Sequence, residues 1–151
     1  MLEITNLIKL QYQAFNCLFK PPLIVKNTYI INNLKIMIKF NNLNKEIPYL
    51  LFKEKYEEAL RAGQKGIEAI SISSYNKELS EVDSRYVNLK FITNDEFVFF
   101  SNYDSRKASA FISNNQVAAL VYWPSINVQI RMKAKIKRTT DEFNQNYFFN
   151  R

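Results

Sequence analysis

From Val128 to Lys137 the chain alternates without a miss, with Val128, Ile130, Met132, Ala134 and Ile136 at one parity and Gln129, Arg131, Lys133, Lys135 and Lys137 at the other. Successive side chains on a strand point to opposite faces, so this order is that of a β-strand with one dry side and one that is wet or ligand-facing. A strand of that kind needs partners, a core on its dry side, and some protection for the edges of the sheet it joins.

Partners are present upstream. "IEAISISSY" alternates and is rich in Ile and Ser, "SRYVNLKFI" sets Arg85, Val87 and Leu89 against Tyr86, Asn88 and Lys90, and "DEFVFFS" and "QVAALVYW" are further apolar runs. The connections "NKELSEVD" and "TND" are short enough for antiparallel neighbours. Three helices frame these five strands. Phe52, Tyr56, Ala59 and Leu60 fall on one helical face, with Pro48 suited to a first turn and Gly63 to a stop. "SRKASAFISNN" predicts a short helix capped by Ser105, and Thr139 with Glu142 predicts a capping box opening "TTDEFNQNYFFNR", where Phe143, Tyr147 and Phe148 share a face. The implied class is α+β, mainly β: a small barrel or rolled sheet of antiparallel strands with flanking helices. An oligonucleotide-binding barrel satisfies the same count, so topology alone leaves function open.

With 151 residues, 47% of them hydrophobic, the chain is the size of one domain with a real core. Cys17 is the only cysteine and there is no histidine, which excludes an intrachain disulfide, a Cys/His zinc site, and Ser-His-Asp or Cys-His nucleophile systems. A reducing, cytoplasmic setting fits, and any enzymatic chemistry is best carried by a cofactor. The formal charge of +7 raises nucleic acid and anionic surfaces as partners, but the 21 basic residues are scattered and form no block, so neither a nucleic-acid tail nor a membrane-binding stretch is indicated.

Residues 1–36 are apolar in short bursts interrupted by Lys9, Lys20, Lys26 and Lys35, which leaves no stretch able to span a bilayer and no signal-peptide pattern. They are assigned no role here and stand as an N-terminal extension before a domain of residues 37–151, Met37 being an alternative start.

Directly after "FVFF" stands "SNYDSRK", which sets Arg106 and Lys107 beside hydroxyls at the start of the short helix. Free backbone N–H groups, the helix dipole and a guanidinium together suit an anion such as a phosphate. Taken in order, "SRYVNLK", "FVFFSNYDSRK", "AALVYW", "VQIRMKAKIKR" and "NYFFNR" resemble the pyridoxamine 5′-phosphate oxidase family from about Pro48 to Arg151. That pattern is Arg-x-x-x-Leu-Lys, Phe-Tyr-Thr-Asn then Ser-Arg-Lys, an apolar strand ending in Trp, Arg-Gln-Val-Arg, and Tyr-Phe-x-x-Arg-Pro.

The resemblance implies an FMN-binding split β-barrel that forms a homodimer, with FMN at the subunit interface. The activity it implies is oxidation of pyridoxamine or pyridoxine 5′-phosphate to pyridoxal 5′-phosphate, with the electrons passed to dioxygen. Carried over by position, Arg85, Val87, Lys90, Phe100, Ser101, Arg106, Lys107 and Gln129 are the implied FMN contacts, and Lys90, Tyr147 and Arg151 the implied contacts to the substrate phosphate.

Departures from the pattern are also legible. Val128 stands where the family has an Arg before the Gln, and Asn88 occupies a position that is normally apolar, where a buried amide without a partner costs about 1–3 kcal/mol. The family's Ala-Ser-x-Gln-Ser, Trp-Gly-Gly and Arg-Leu-His-Asp-Arg segments do not occur in the sequence, from which a chain truncated at its C-terminus is expected. Two functional classes follow: an FMN-dependent oxidase, and a non-catalytic split barrel that dimerises and at most binds flavin.

Overall fold

The computed structural model describes residues 2–5, 11–14, 37–102 and 106–149. Its strands are β1 (Leu2–Thr5), β2 (Gln11–Ala14), β3 (Lys39–Asn41), β4 (Ala69–Asn76), β5 (Glu81–Thr93), β6 (Glu96–Phe99), β7 (Gln116–Trp123) and β8 (Val128–Arg138). The helices are α1 (Ile47–Arg61), α2 (Arg106–Ser113) and α3 (Asp141–Phe149). The sheet runs β1-β6-β5-β4-β7-β8-β2, and β1 also pairs with β8, so six strands form a closed ring. All of these pairings are antiparallel; β3 alone lies parallel, against the end of β5. This is the α+β, mainly β, split barrel expected from sequence, with three strands more than the five that alternation made visible.

The period-two patterns became the barrel wall. On β8, Val128, Ile130, Met132, Ala134 and Ile136 are buried while Arg131, Lys133, Lys135 and Lys137 are exposed. On β7, Val117, Ala119, Val121 and Trp123 turn inward. The connection between them is a 3-10 turn (Pro124–Ile126) closed by Asn127 at φ 52°, a left-handed conformation that Asn tolerates better than most residues.

α1 closes one end of the barrel. Pro48 sits in its first turn, where the missing N–H costs nothing, and Gly63 at φ 73° follows its C-cap. Tyr49, Phe52, Tyr56 and Ala59 are buried, and Leu60 is partly so. Phe52 meets Phe97 edge-on with ring centroids 5.1 Å apart and Trp123 at 5.5 Å. The polar ends of these aromatics are satisfied. Trp123 Nε1 donates to Ile67 O at 3.0 Å, and Tyr56 Oη accepts from the N–H groups of Met37 and Ile38, each at 3.1 Å.

Two expectations are corrected. Asn88 does not enter the core: it is exposed, because Val87 and Leu89 on either side take the inward face of β5, and its amide is hydrated at no burial cost. The cap of α3 is Thr140 rather than Thr139. Thr140 Oγ1 accepts from the Phe143 N–H at 3.3 Å, while Thr139 Oγ1 bonds Asn144 Oδ1 at 2.8 Å. β8 runs on to Arg138, which leaves Thr140 as the residue three positions before an N–H free to be capped. The proposed cap of α2, Ser105, lies outside the described residues.

Candidate functional site

β5 carries three charged residues at one parity, Glu81, Asp83 and Arg85, ahead of the buried Val87 and Leu89. Arg85 therefore stands on the inward face at the barrel end, opposite Ile72 of β4 and half-buried. It forms an ion pair with Asp83. α2 packs against β4 and brings its first residue, Arg106, to the same end. Arg106 Nη2 donates to Glu81 Oε2 at 3.3 Å, an exposed pair. Burial pushes the Arg85 guanidinium below its usual pKa, and the positive charge of Arg106 pushes it the same way.

This arrangement brings two cations together at the first turn of a helix, with two carboxylates sharing them. Mutual repulsion of the guanidiniums is relieved by any anion placed between them, and a phosphate there can accept from both beside a helix start that favours negative charge. Glu81 and Asp83 were not singled out in sequence, although their i, i+2, i+4 spacing with Arg85 was visible.

Lys90 sits at a β-bulge between Leu89 and Phe91, half-buried and without an acidic partner among the described residues. The bulge breaks the strict alternation and turns Lys90 to the side rather than fully outward. Phe100 and Ser101 follow β6, whose last residue, Phe99, pairs with Leu89. Phe100 is half-buried and its ring lies 6.3 Å from that of Phe91, which in turn meets Phe143 of α3 at 5.9 Å. Ser101 Oγ donates to Asn102 O at 3.4 Å. Val87 is buried in the core, so any contact it makes with a ligand is through its backbone.

The remaining candidates are not gathered here. Gln129 lies on the outward face of β8, opposite Tyr122 of β7, with β4 and β7 between its strand and β5. Lys107 lies in α2 and Tyr147 in α3, but their side chains, like Arg151, lie outside the described residues.

Gln129 borders a second feature. Across the outward face Tyr86, Ser71, Leu120 and Arg131 stand in one cross-strand row, and Ser84, Ser73, Ala118 and Lys133 in the next. Tyr86, Leu120 and Tyr122 are exposed apolar side chains, and the Ser73 and Ser84 hydroxyls bond each other at 2.7 Å. A groove of about 660 Å³ runs over the small residues between Tyr75 and Val82 on one side and Lys133 and Lys135 on the other. It is not at the arginine pair. The arginine site rests on charge geometry and the groove on shape, so they are two separate surfaces.

A closed split barrel with two arginines brought to one end and with Tyr86, Leu120 and Tyr122 exposed on its outward face defines the class: a split-barrel protein of α+β type. The fold agrees with PhzG from Burkholderia lata 383, solved in complex with tetrahydrophenazine-1-carboxylic acid (TM-score 0.64, 21% identity, 69% of this chain and 51% of that one). No protein-family model matches the chain. It is similar to the chloroplastic pyridoxine/pyridoxamine 5′-phosphate oxidase 1 of Arabidopsis thaliana, 35% identical over 104 residues, which is 69% of this chain and 19% of that protein. The pyridoxine/pyridoxamine 5′-phosphate oxidase of Colwellia psychrerythraea is 35% identical over 69% of this chain and 48% of its own length. That of Leptospira interrogans is 26% identical over 84% of this chain and 56% of its own. The chain belongs to the family of pyridoxine/pyridoxamine 5′-phosphate oxidase-like proteins, and it spans about half the length of these bacterial relatives.

Proposed function

We propose that this chain binds FMN at the barrel end and serves as an oxidase of pyridoxamine or pyridoxine 5′-phosphate that yields pyridoxal 5′-phosphate. The observation that carries the reading is the placement of Arg85 and Arg106 at one barrel end, two cations that suit the phosphate of FMN in charge. When bound, FMN supplies the two-electron acceptor for this oxidation, and dioxygen takes the electrons on. The chain's own residues do the holding. Arg85 and Arg106 anchor the phosphate, Phe100 offers a wall already braced by Phe91, and Lys90, at the bulge of β5, serves a substrate phosphate.

The reading includes a homodimer. Gln129 is separated by two strands from the arginine pair within one chain, so a second copy laid on the outward apolar face is the simplest way for it to approach a cofactor held there. Exposed Tyr86, Leu120 and Tyr122 give that face the apolar surface a two-fold interface needs. No helix among the described residues is long and apolar enough to cross a membrane.

The test is to load the purified protein with FMN, desalt it, and mix it anaerobically with pyridoxamine 5′-phosphate. Retained flavin that bleaches on mixing supports both parts of the reading. Retained flavin that does not bleach supports a binding barrel without turnover, and no retained flavin overturns the reading.

A further inference from the structure

A trench crosses the outward face of the sheet. Ser84 of β5, Ser73 of β4 and Ala118 of β7 stand in one cross-strand row that ends on Lys133 of β8. Larger side chains flank the row, Val82 opposite Tyr75 on one side, Tyr86 and Leu120 on the other. We propose that this trench binds an amphipathic anion, a flat apolar body with an acidic group at one end, at a site separate from the arginine pair.

Shape is the first observation. Side chains two residues apart on a strand share a face, so Ser and Ala set between Tyr, Val and Leu leave a depression floored by the sheet. The groove of about 660 Å³ lies within the range of small-molecule sites, and a second of about 210 Å³ adjoins it, sharing Ser73, Ala118 and Lys133 and reaching Leu120 and Arg131. Strands about 4.8 Å apart give the row a length of roughly 14 Å from β5 to β8, room for two or three fused rings and an acidic group.

Charge is the second. Arg131, Lys133 and Lys135 are exposed at successive outward positions of β8, about 7 Å apart, and none has an acidic partner among the described residues. No acidic residue lines either groove. Repulsion along this line of cations falls when an anion sits at Lys133, the middle one. The far end of the trench is apolar instead. Tyr75 is 40% and Val82 73% exposed, and a ring laid between them and Leu120 removes that surface from water. On the floor the Ser73 and Ser84 hydroxyls bond each other at 2.7 Å, so they meet much of their own hydrogen-bonding need and tolerate an apolar neighbour. The acidic group of the ligand therefore belongs over β8 and its rings over β4, β5 and β7. The inference does not depend on flavin binding.

Fluorescence titration of the full chain with 8-anilinonaphthalene-1-sulfonate tests the site, with N-phenyl-1-naphthylamine as the same ring system without the charge. The sulfonate probe should bind saturably, one per chain. Lys133→Gln should weaken it about tenfold and leave the uncharged probe unchanged, and Ala118→Trp, which fills the trench from an exposed position, should weaken both probes about tenfold or more. Absence of saturable binding to the parent would overturn the proposal. Unaltered sulfonate binding in either variant would do the same, since the probe would then sit elsewhere. So would binding seen only after Leu120→Glu has separated two copies, which would make a second copy the occupant of the trench.

Discussion

Burial and, second to it, the charge of Arg106 at the head of α2 lower the pKa of Arg85 on β5, and each guanidinium has one carboxylate, Asp83 for Arg85 and Glu81 for Arg106. Like charges brought together on a fold store repulsion that a bound anion removes, so this pair is where phosphate recognition is expected to be concentrated. Arg106→Ala and Arg85→Ala should each weaken FMN by about 1.5–3 kcal/mol, the worth of a charge-assisted hydrogen bond. Fluorescence titration of FMN measures this. Riboflavin, which lacks the phosphate, should bind weakly to the parent and lose little further in either variant.

Glu81 competes with that anion for Arg106. The pair is exposed, so its own contribution to stability is about 0–1 kcal/mol. Glu81→Gln is therefore expected to leave thermal unfolding nearly unchanged while tightening FMN and inorganic phosphate alike. A variant that loses FMN affinity would show that Glu81 positions Arg106 rather than opposing the ligand.

Trp123 joins β7 to α1 through the rings of Phe52 and Tyr56, and to the turn before β4 through its bond to Ile67 O. It is 1% exposed and is the only Trp in the chain. Trp123→Phe keeps most of the ring but leaves the Ile67 carbonyl without its donor, at a cost of about 1–3 kcal/mol. Trp123→Ala should cost about 3–5 kcal/mol through lost burial and a cavity. Urea unfolding followed by circular dichroism measures both.

Tyr49 ionises late. Burial raises its pKa above 10.0, with the charges of Asp95 and then Glu46 acting in the same direction. Above that pH the unfolded chain gives up this proton while the folded protein keeps it, so the protein binds more protons folded than unfolded and its stability falls as pH rises. Below it, both states are protonated and the full contribution is present. Tyr49→Phe should flatten the loss of stability between neutral pH and about pH 11, measured as the unfolding midpoint across that range.

The outward face offers a last test. Leu120 lies in the centre of the row from Tyr86 to Arg131 and is partly exposed in the single chain. Leu120→Glu should leave the fold intact, since the side chain does not enter the core, but should shift sedimentation from dimer to monomer at micromolar concentration. A parent protein that sediments as a monomer would contradict the dimer outright.

Much of this architecture was present in local order along the chain. The parities of β5, β7 and β8 were visible because successive side chains on a strand must alternate, and the span of α1 because Pro48 and Gly63 act through their own backbones. The "SRK" segment suggested an anion site for the same local reason, a helix start carrying cations, and α2 does begin at Arg106. Other features depended on residues far apart in sequence. Whether Asn88 was buried turned on which face of β5 met the core, and that was decided by Val87 and Leu89 joining the cluster of Phe52, Ile70 and Ile72 rather than by the strand itself. The meeting of Arg85 with Arg106, and the carboxylates that temper them, required α2 to fold back over the β4–β5 hairpin. Residues 2–5 carry too short a pattern to announce a strand. Their place came from two edges, on β6 and β8, whose open hydrogen-bonding groups exist only once the rest of the sheet has formed. Local stereochemistry sets which residues share a face, and long-range pairing decides which face is dry and what stands beside it.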